Sequence, residues 1–328
     1  MTTQPTTPED MARIVKVGHE DFENGADVQS ILGQDGVAIR LATWKPYLKD
    51  GESSNGTILM LNGFTEFIEK YSEVIQELRG RGFHVVSFDW RGQGLSRRFL
   101  SDEKKGYVDS FSKMVADATE IYEAYVKSLP RPHILFGHSM GGCISMRILQ
   151  KTSKMFDMAA LSAPMFGWDY PALLAQTAAT FMILVGRGKE YTLGAGPPGP
   201  DNQMEENIYD RLTSDYRRIK MICKYYRAEP RLWMGGPTWK WVFEGAKHMR
   251  RVMTPSNMDK LEVPVLLVSP LDDVIVMPCY HEDASKMSKK ITLIKVPGCK
   301  HEILMETDPL RKFFWENFDQ FVNEHSVV

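Results

Sequence analysis

With 328 residues, 43% of them hydrophobic, the chain has material for one large domain, or for one domain carrying a sizeable insertion, and needs no staple for its core. A formal charge of -2 excludes the basic field that holds nucleic acid by phosphate neutralisation. The four cysteines, Cys143, Cys223, Cys279 and Cys299, are scattered, with no CxxC pair and no histidine at finger spacing. They exclude a disulfide framework and a zinc finger, and fit a reducing compartment.

The chain begins with a polar, acidic stretch, residues 1–29, which lacks the basic start and apolar core of a secretory signal and reads as a tail or lead-in. Runs from Val37 to Trp44, Thr57 to Leu61, His84 to Phe88, His133 to Phe136 and Met158 to Ser162 follow, most of them continuously apolar, as buried parallel strands are. Between them, Phe111, Met114, Val115, Ala118, Ile121, Tyr125 and Leu129 recur at helical spacing, as do Met140, Cys143, Ile144 and Ile148. This alternation predicts an α/β fold, a mostly parallel sheet flanked by helices.

The alternation stops after Ala163 and resumes at Val263 to Val268, to end in a helix from Leu310 to about Val322. The insertion between holds an apolar run from Pro171 to Val185, a Gly/Pro-rich turn region from Gly194 to Pro200, a helical stretch from Glu205 to Tyr226 and a GGPTWKW segment from Gly235. Gln176, Thr177 and Thr180 interrupt the apolar run, which is shorter than the roughly 20 residues a spanning helix needs. A soluble, cytoplasmic protein is expected. Gly186, Gly188, Gly194 and Gly196 follow no clear strand and lack the spacing of a phosphate cradle, so they read as turn residues.

The sequence GHSMG, Gly137 to Gly141, sits between an apolar strand and an amphipathic helix, the setting of a nucleophile elbow. A strand turning straight into a helix strains the backbone at Ser139 and leaves no room for side chains two residues before and after it. A serine hydroxyl needs a base, and the base an acid to orient it. Of eight histidines, His301 is best placed, in the loop after the run Ile291 to Val296. His133, His138, His84, His248 and His281 read as packing or surface residues, and His19 and His325 lie near the termini. The run PVLLVSPLDDVIV supplies consecutive aspartates; Asp273 is the candidate acid, with Asp272 as its rival. The oxyanion of an acyl-transfer intermediate would meet the N–H groups of Met140 and Phe64, the latter in the turn opened by Asn62 and Gly63. No metal or organic cofactor is required.

The chain resembles the lysophospholipase L2 and monoacylglycerol lipase branch of the α/β hydrolases, the serine aminopeptidase-like family. The resemblance lies in NGF at Asn62, SFDWRGQGLS from Ser87, GHSMGG from Gly137, GGPTWKWV from Gly235 and GCKHEILMETDPLR from Gly298. Counting from Pro264 to the family's acid position lands on Asp273. Lipase-type relatives usually carry His-Gly where this chain has Asn62 and Gly63, which weakens the monoacylglycerol side of the inference.

The resemblance implies an α/β-hydrolase core (residues 30–163 and 255–328) and a cap (residues 164–254) over the active site. Trp168, Tyr170, Phe181, Met182, Ile183 and Leu184 either line an acyl slot beneath that cap or simply pack it onto the core. Trp168, Phe181 and Leu184 are the substrate-binding candidates. Arg217, Arg218 and Lys220 either meet a lipid phosphate or form a solvated helix face.

The expected activity is hydrolysis of a single-chain lipid ester, a lysophospholipid or monoacylglycerol. Alternatives are an esterase, lactonase or peptidase for small soluble substrates, or a non-catalytic binder of a hydrophobic ligand. Peripheral contact of the cap with the inner membrane, and the oligomeric state, stay open.

Overall fold

The computed structural model describes residues 11–18, 20–152, 154–199 and 204–326. The first ten residues of the expected tail, His19, and Pro200 at the end of the turn region lie outside the described residues.

One eight-stranded sheet organises the chain: β1 Ala26–Leu32, β2 Ala38–Trp44, β3 Gly56–Leu61, β4 Phe83–Phe88, β5 His133–His138, β6 Met158–Ser162, β7 Val265–Pro270 and β8 Ile291–Val296. Their spatial order is β1-β2-β4-β3-β5-β6-β7-β8. The β1–β2 and β2–β4 pairs are antiparallel and every pair from β4 to β8 is parallel. The inner strands β3, β5 and β6 are buried at every position, which is why each reads as an unbroken apolar run. β1 was not expected. It is a half-buried edge strand, ADVQSIL, with no apolar run to announce it, and it takes in residues 26–29 of the segment read as lead-in.

Helices cover both faces. Those that matter here are α1 Ser72–Gly80, α2 Phe111–Ile121, α3 Met140–Leu149, α4 Ala172–Leu184, α5 Met204–Arg211, α6 Tyr216–Ala228, α7 Trp239–Val252, α8 Pro278–Met287 and α9 Asp308–His325. The stretch from Glu205 to Tyr226 is two helices, because Asp215 accepts the N–H groups of Arg217 and Arg218 and starts α6 anew.

Helices α4 to α7 lie between β6 and β7. Helix α4 packs along α7 through its small residues: Ala179 is fully buried, and Ala172 and Ala175 rest against the core at the same helical face. Among the described residues no helix is long and apolar enough to cross a membrane.

The parallel register decides what meets at the sheet's carboxyl edge. Leu61 of β3 pairs with Gly137 of β5, so the turn after β3 opens beside the turn after β5. Pro270 of β7 pairs with Val296 of β8, so the next two loops leave from one level. Ligands of open α/β sheets bind at this edge.

Candidate active site

Ser139 occupies the single residue between β5 and α3, at φ 50° and ψ -116°. Such a conformation costs about 1–3 kcal/mol and persists only where its surroundings hold it. Here the Ser139 N–H donates to the Ser162 carbonyl at 3.0 Å, and its own carbonyl accepts from Cys143 and Met165 at 3.1 and 2.9 Å. The flanking glycines are sterically required. A Cβ on Gly137 would lie 2.5 Å from Ser145 Oγ, and one on Gly141 would lie 2.1 Å from the Leu61 carbonyl oxygen.

His301 Nε2 stands 3.0 Å from Ser139 Oγ, and His301 Nδ1 stands 2.6 Å from Asp273 Oδ2. Since a carboxylate only accepts, Nδ1 carries the proton and Nε2 is free to accept from the serine. The other Asp273 oxygen takes the N–H groups of Ile275 at 2.7 Å and Val276 at 3.0 Å. Asp272 is exposed, and no hydrogen bond joins its carboxylate to the imidazole. Of the two rivals, then, Asp273 is the one that reaches His301.

The electrostatics suit this order. Burial alone would push the His301 pKa down, but the charge and hydrogen bond of Asp273, with the charges of Glu302 and Glu66, outweigh it and raise the pKa above its ordinary value. Burial would raise the Asp273 carboxyl, yet His301 and the two backbone donors hold it below the usual range. His138, His248 and His281 are all pushed down to about 4, chiefly by burial, and serve as neutral packing groups.

The turn after β3 is braced from both sides. Asn62 donates through Nδ2 to the Phe88 carbonyl at 3.2 Å, and Trp90 Nε1 donates to the Asn62 carbonyl at 2.8 Å. Gln93 donates to the Gly63 carbonyl at 3.0 Å, while the Gly63 N–H donates to the Glu66 carboxylate. Among the described residues the Phe64 N–H has no acceptor, and the Phe64 ring lies 4.2 Å from that of Trp241. Met140 supplies the first N–H of α3, which has no partner within the helix. Its side chain is fully buried.

A cleft of about 600 Å³ opens over Ser139 and His301. Met165, Trp168, Trp241, Val242, Ile275 and Val276 form its apolar wall, and Glu66, Lys70 and Glu302 its polar end. Trp168 and Tyr170 line the same cleft.

Phe181 and Leu184 do not. They are 63% and 80% exposed and are not among the residues lining the cleft, a correction to their expected role. Helix α4 carries apolar residues on every side, interrupted by Gln176, Thr177 and Thr180; its alanines make the close approach to α7, which leaves the large residues outside. Met182 and Ile183 are half-buried and also miss the cleft. Arg217 and Arg218 are engaged with Asp215 and Asp308, and Arg218 with Glu73 as well, rather than facing the cleft.

Glu66, Lys70, Gln93, Trp241 and Glu302 were not foreseen from the sequence. For Glu66 and Lys70 the available signal was a pair of opposite charges four residues apart just after the turn that follows β3, in EFIEKY. The ligand atoms of Glu66, His138 and Glu302 lie within 4.8 Å of one another, a donor set that could hold a cation. The Lys70 ammonium already lies between the two carboxylates, at 2.7 and 2.6 Å.

Residues 52–308 match the family model described as serine aminopeptidase, S33. The chain is 28% identical over 276 residues to a probable lysophospholipase L2 of Haemophilus influenzae, covering 82% of this chain and 84% of that one. It is 27% identical over 317 residues to lysophospholipase L2 of Escherichia coli, covering 93% and 90%. Among solved structures, a soluble variant of monoglyceride lipase from Saccharomyces cerevisiae superposes with a TM-score of 0.71 at 19% identity, over 92% of this chain and 96% of that one. That likeness carries the fold, an α/β-hydrolase sheet with flanking helices.

Proposed function

The chain belongs to the serine aminopeptidase S33 family of hydrolases, and from that premise we propose that it cleaves the carboxylic ester of a single-chain lipid, a lysophospholipid or monoacylglycerol. The observation that carries the reading is the hydrogen-bonded series Ser139, His301, Asp273 at the foot of a cleft with an apolar wall. The lysophospholipase L2 relatives support the substrate class.

In this mechanism His301 Nε2 takes the Ser139 proton as Oγ attacks the ester carbonyl. Asp273 holds the tautomer and stabilises the imidazolium. The N–H groups of Phe64 and Met140 meet the oxyanion, the latter aided by the positive end of α3. Collapse of the intermediate breaks the ester bond, and His301 returns its proton to the leaving alcohol. Water, activated by the same imidazole, then releases the fatty acid from Ser139.

Residues 164–254 act in this reading as a cap that shields the acyl chain, with Trp168 and Trp241 in its path. Each methylene moved from water to the wall contributes about 0.8 kcal/mol, so two more carbons raise kcat/KM about tenfold until the wall ends. The outward face of α4, with Leu173, Leu174, Phe181 and Leu184 exposed, is where the cap would meet a lipid interface.

The test is hydrolysis of lysophosphatidylcholine, lysophosphatidylethanolamine, monoacylglycerols and short synthetic esters side by side, with Ser139→Ala as the blank. Turnover that rises with acyl length supports the lipid reading. Rates independent of chain length would instead favour small soluble esters or peptides.

A further inference from the structure

The buried charges beside the cleft are more numerous than acyl transfer itself uses. Lys70 Nζ donates to Glu66 Oε1 at 2.7 Å and to Glu302 Oε1 at 2.6 Å, and all three side chains are 5% exposed. Each carboxylate sits on a different arm of the site. The second Glu66 oxygen accepts from the Gly63 N–H, one residue before Phe64, and from Tyr71 Oη at 2.6 Å. Glu66 also lies 3.7 Å from His138 Nε2, on the residue that precedes Ser139. Glu302 directly follows His301, and its backbone N–H is tied to the Leu212 carbonyl at 2.9 Å.

Resting on the active-site reading above, we propose that Lys70 is a positioning residue whose ammonium joins the oxyanion turn and the His301 loop into one frame. These arms come from loops after β3 and β8, and the covalent path between them runs through most of the chain. Two buried carboxylates without a cation between them would repel, and each would drag its loop toward water. The ammonium reverses that sign. It converts the repulsion into two charge-assisted hydrogen bonds, the kind short and directional enough to fix a loop within fractions of an ångström. Misplacement of catalytic groups by about 1 Å can cost on the order of 10²-fold in rate.

The groups facing His301 are Asp273, Glu302, Glu66, His138 and His281, with Lys70 behind the two glutamates. Glu302→Gln keeps an acceptor for Lys70 while removing one negative charge that favours the imidazolium. Its acid limb therefore moves to lower pH. A residue that only filled space would not produce that displacement.

The experiment measures kcat, KM and the pH profile on p-nitrophenyl butyrate for the full chain and for Lys70→Met, Lys70→Arg and Glu302→Gln, each normalised to the fraction of protein labelled by a fluorophosphonate. Expected are a kcat at least tenfold lower in Lys70→Met with KM within twofold, recovery of most of that loss in Lys70→Arg, and an acid limb at lower pH in Glu302→Gln. Lys70 lines clefts on two sides, and arginine keeps the positive charge between the two carboxylates.

An unchanged kcat in folded Lys70→Met, or an arginine no better than methionine, overturns the proposal. If Lys70→Met does not fold, Lys70→Gln takes its place: a lowered kcat that Lys70→Arg recovers supports the proposal, and an unchanged kcat overturns it. Ser139→Ala separates the two levels. Full activity there defeats the active-site reading itself, whereas a dead Ser139→Ala beside a fully active Lys70→Met defeats only the role of Lys70.

Discussion

The strands that end at the carboxyl edge of the sheet and helix α4 of the insertion are both built from apolar sequence, yet they obey different constraints. At the sheet edge, backbone geometry dictates residue type. Gly141 must lack a side chain because the Leu61 carbonyl is 2.1 Å from where a Cβ would sit, and Ser139 must accept a strained φ of 50°. In the insertion, composition leaves the outcome open. Helix α4 has apolar residues on all sides, and which of them faces inward was settled by the small alanines packing on α7. Constraint by sterics is readable in a sequence; selection by close approach between helices is much less so.

The sharpest break of this comparison is at the acid. Asp273→Asn is expected to lower kcat on the order of 10⁴-fold by removing the acceptor that orients His301 Nδ1, whereas Asp272→Asn, exposed beside it, stays within twofold. Equal losses in the two variants, measured by steady-state kinetics, would erase the distinction drawn between them.

Next in size is Gly141→Ala. The added methyl presses on the Leu61 and Asn62 carbonyls, at 2.1 and 2.6 Å, and so displaces the turn that presents the Phe64 N–H. A kcat loss of about 10²–10³-fold is expected, the usual effect of an impaired oxyanion donor. Wild-type kcat in a folded variant would contradict the steric account.

The pH dependence follows from the charges around His301. Activity needs the imidazole neutral, and Asp273 with the neighbouring glutamates raises its pKa despite burial. The acid limb of kcat/KM should therefore have its midpoint above the reference value of about 6.5 and fall tenfold per pH unit below it. A midpoint below that value would show that burial prevails.

The smallest effects belong to the insertion. Phe181→Ser and Leu184→Ser, at 63% and 80% exposure, should leave hydrolysis of a short soluble ester within twofold and the melting temperature nearly unchanged. The same variants should weaken co-sedimentation with phospholipid vesicles. A large loss on the soluble ester would place these side chains in the cleft after all.

Much of the candidate site was legible because chain order and strand endings carry it: Ser139 after β5 and Asp273 after β7 each follow a buried apolar run, and His301 follows the half-buried edge strand β8. The inner strands were legible for the same reason. Edge strand β1 was not, since its half-buried residues alternate weakly, and neither was α7, whose tryptophans read only as a segment of unknown shape. Lys70 and Glu302 stayed hidden because they meet across 232 positions of sequence, a contact that no local pattern announces.

The most direct test of the central claim is the site of covalent attack. A fluorophosphonate should add once to the wild-type protein, map by mass spectrometry to the peptide containing Ser139, and fail to add to Ser139→Ala. Labelling that persists in Ser139→Ala, or that maps to another residue, would contradict the account.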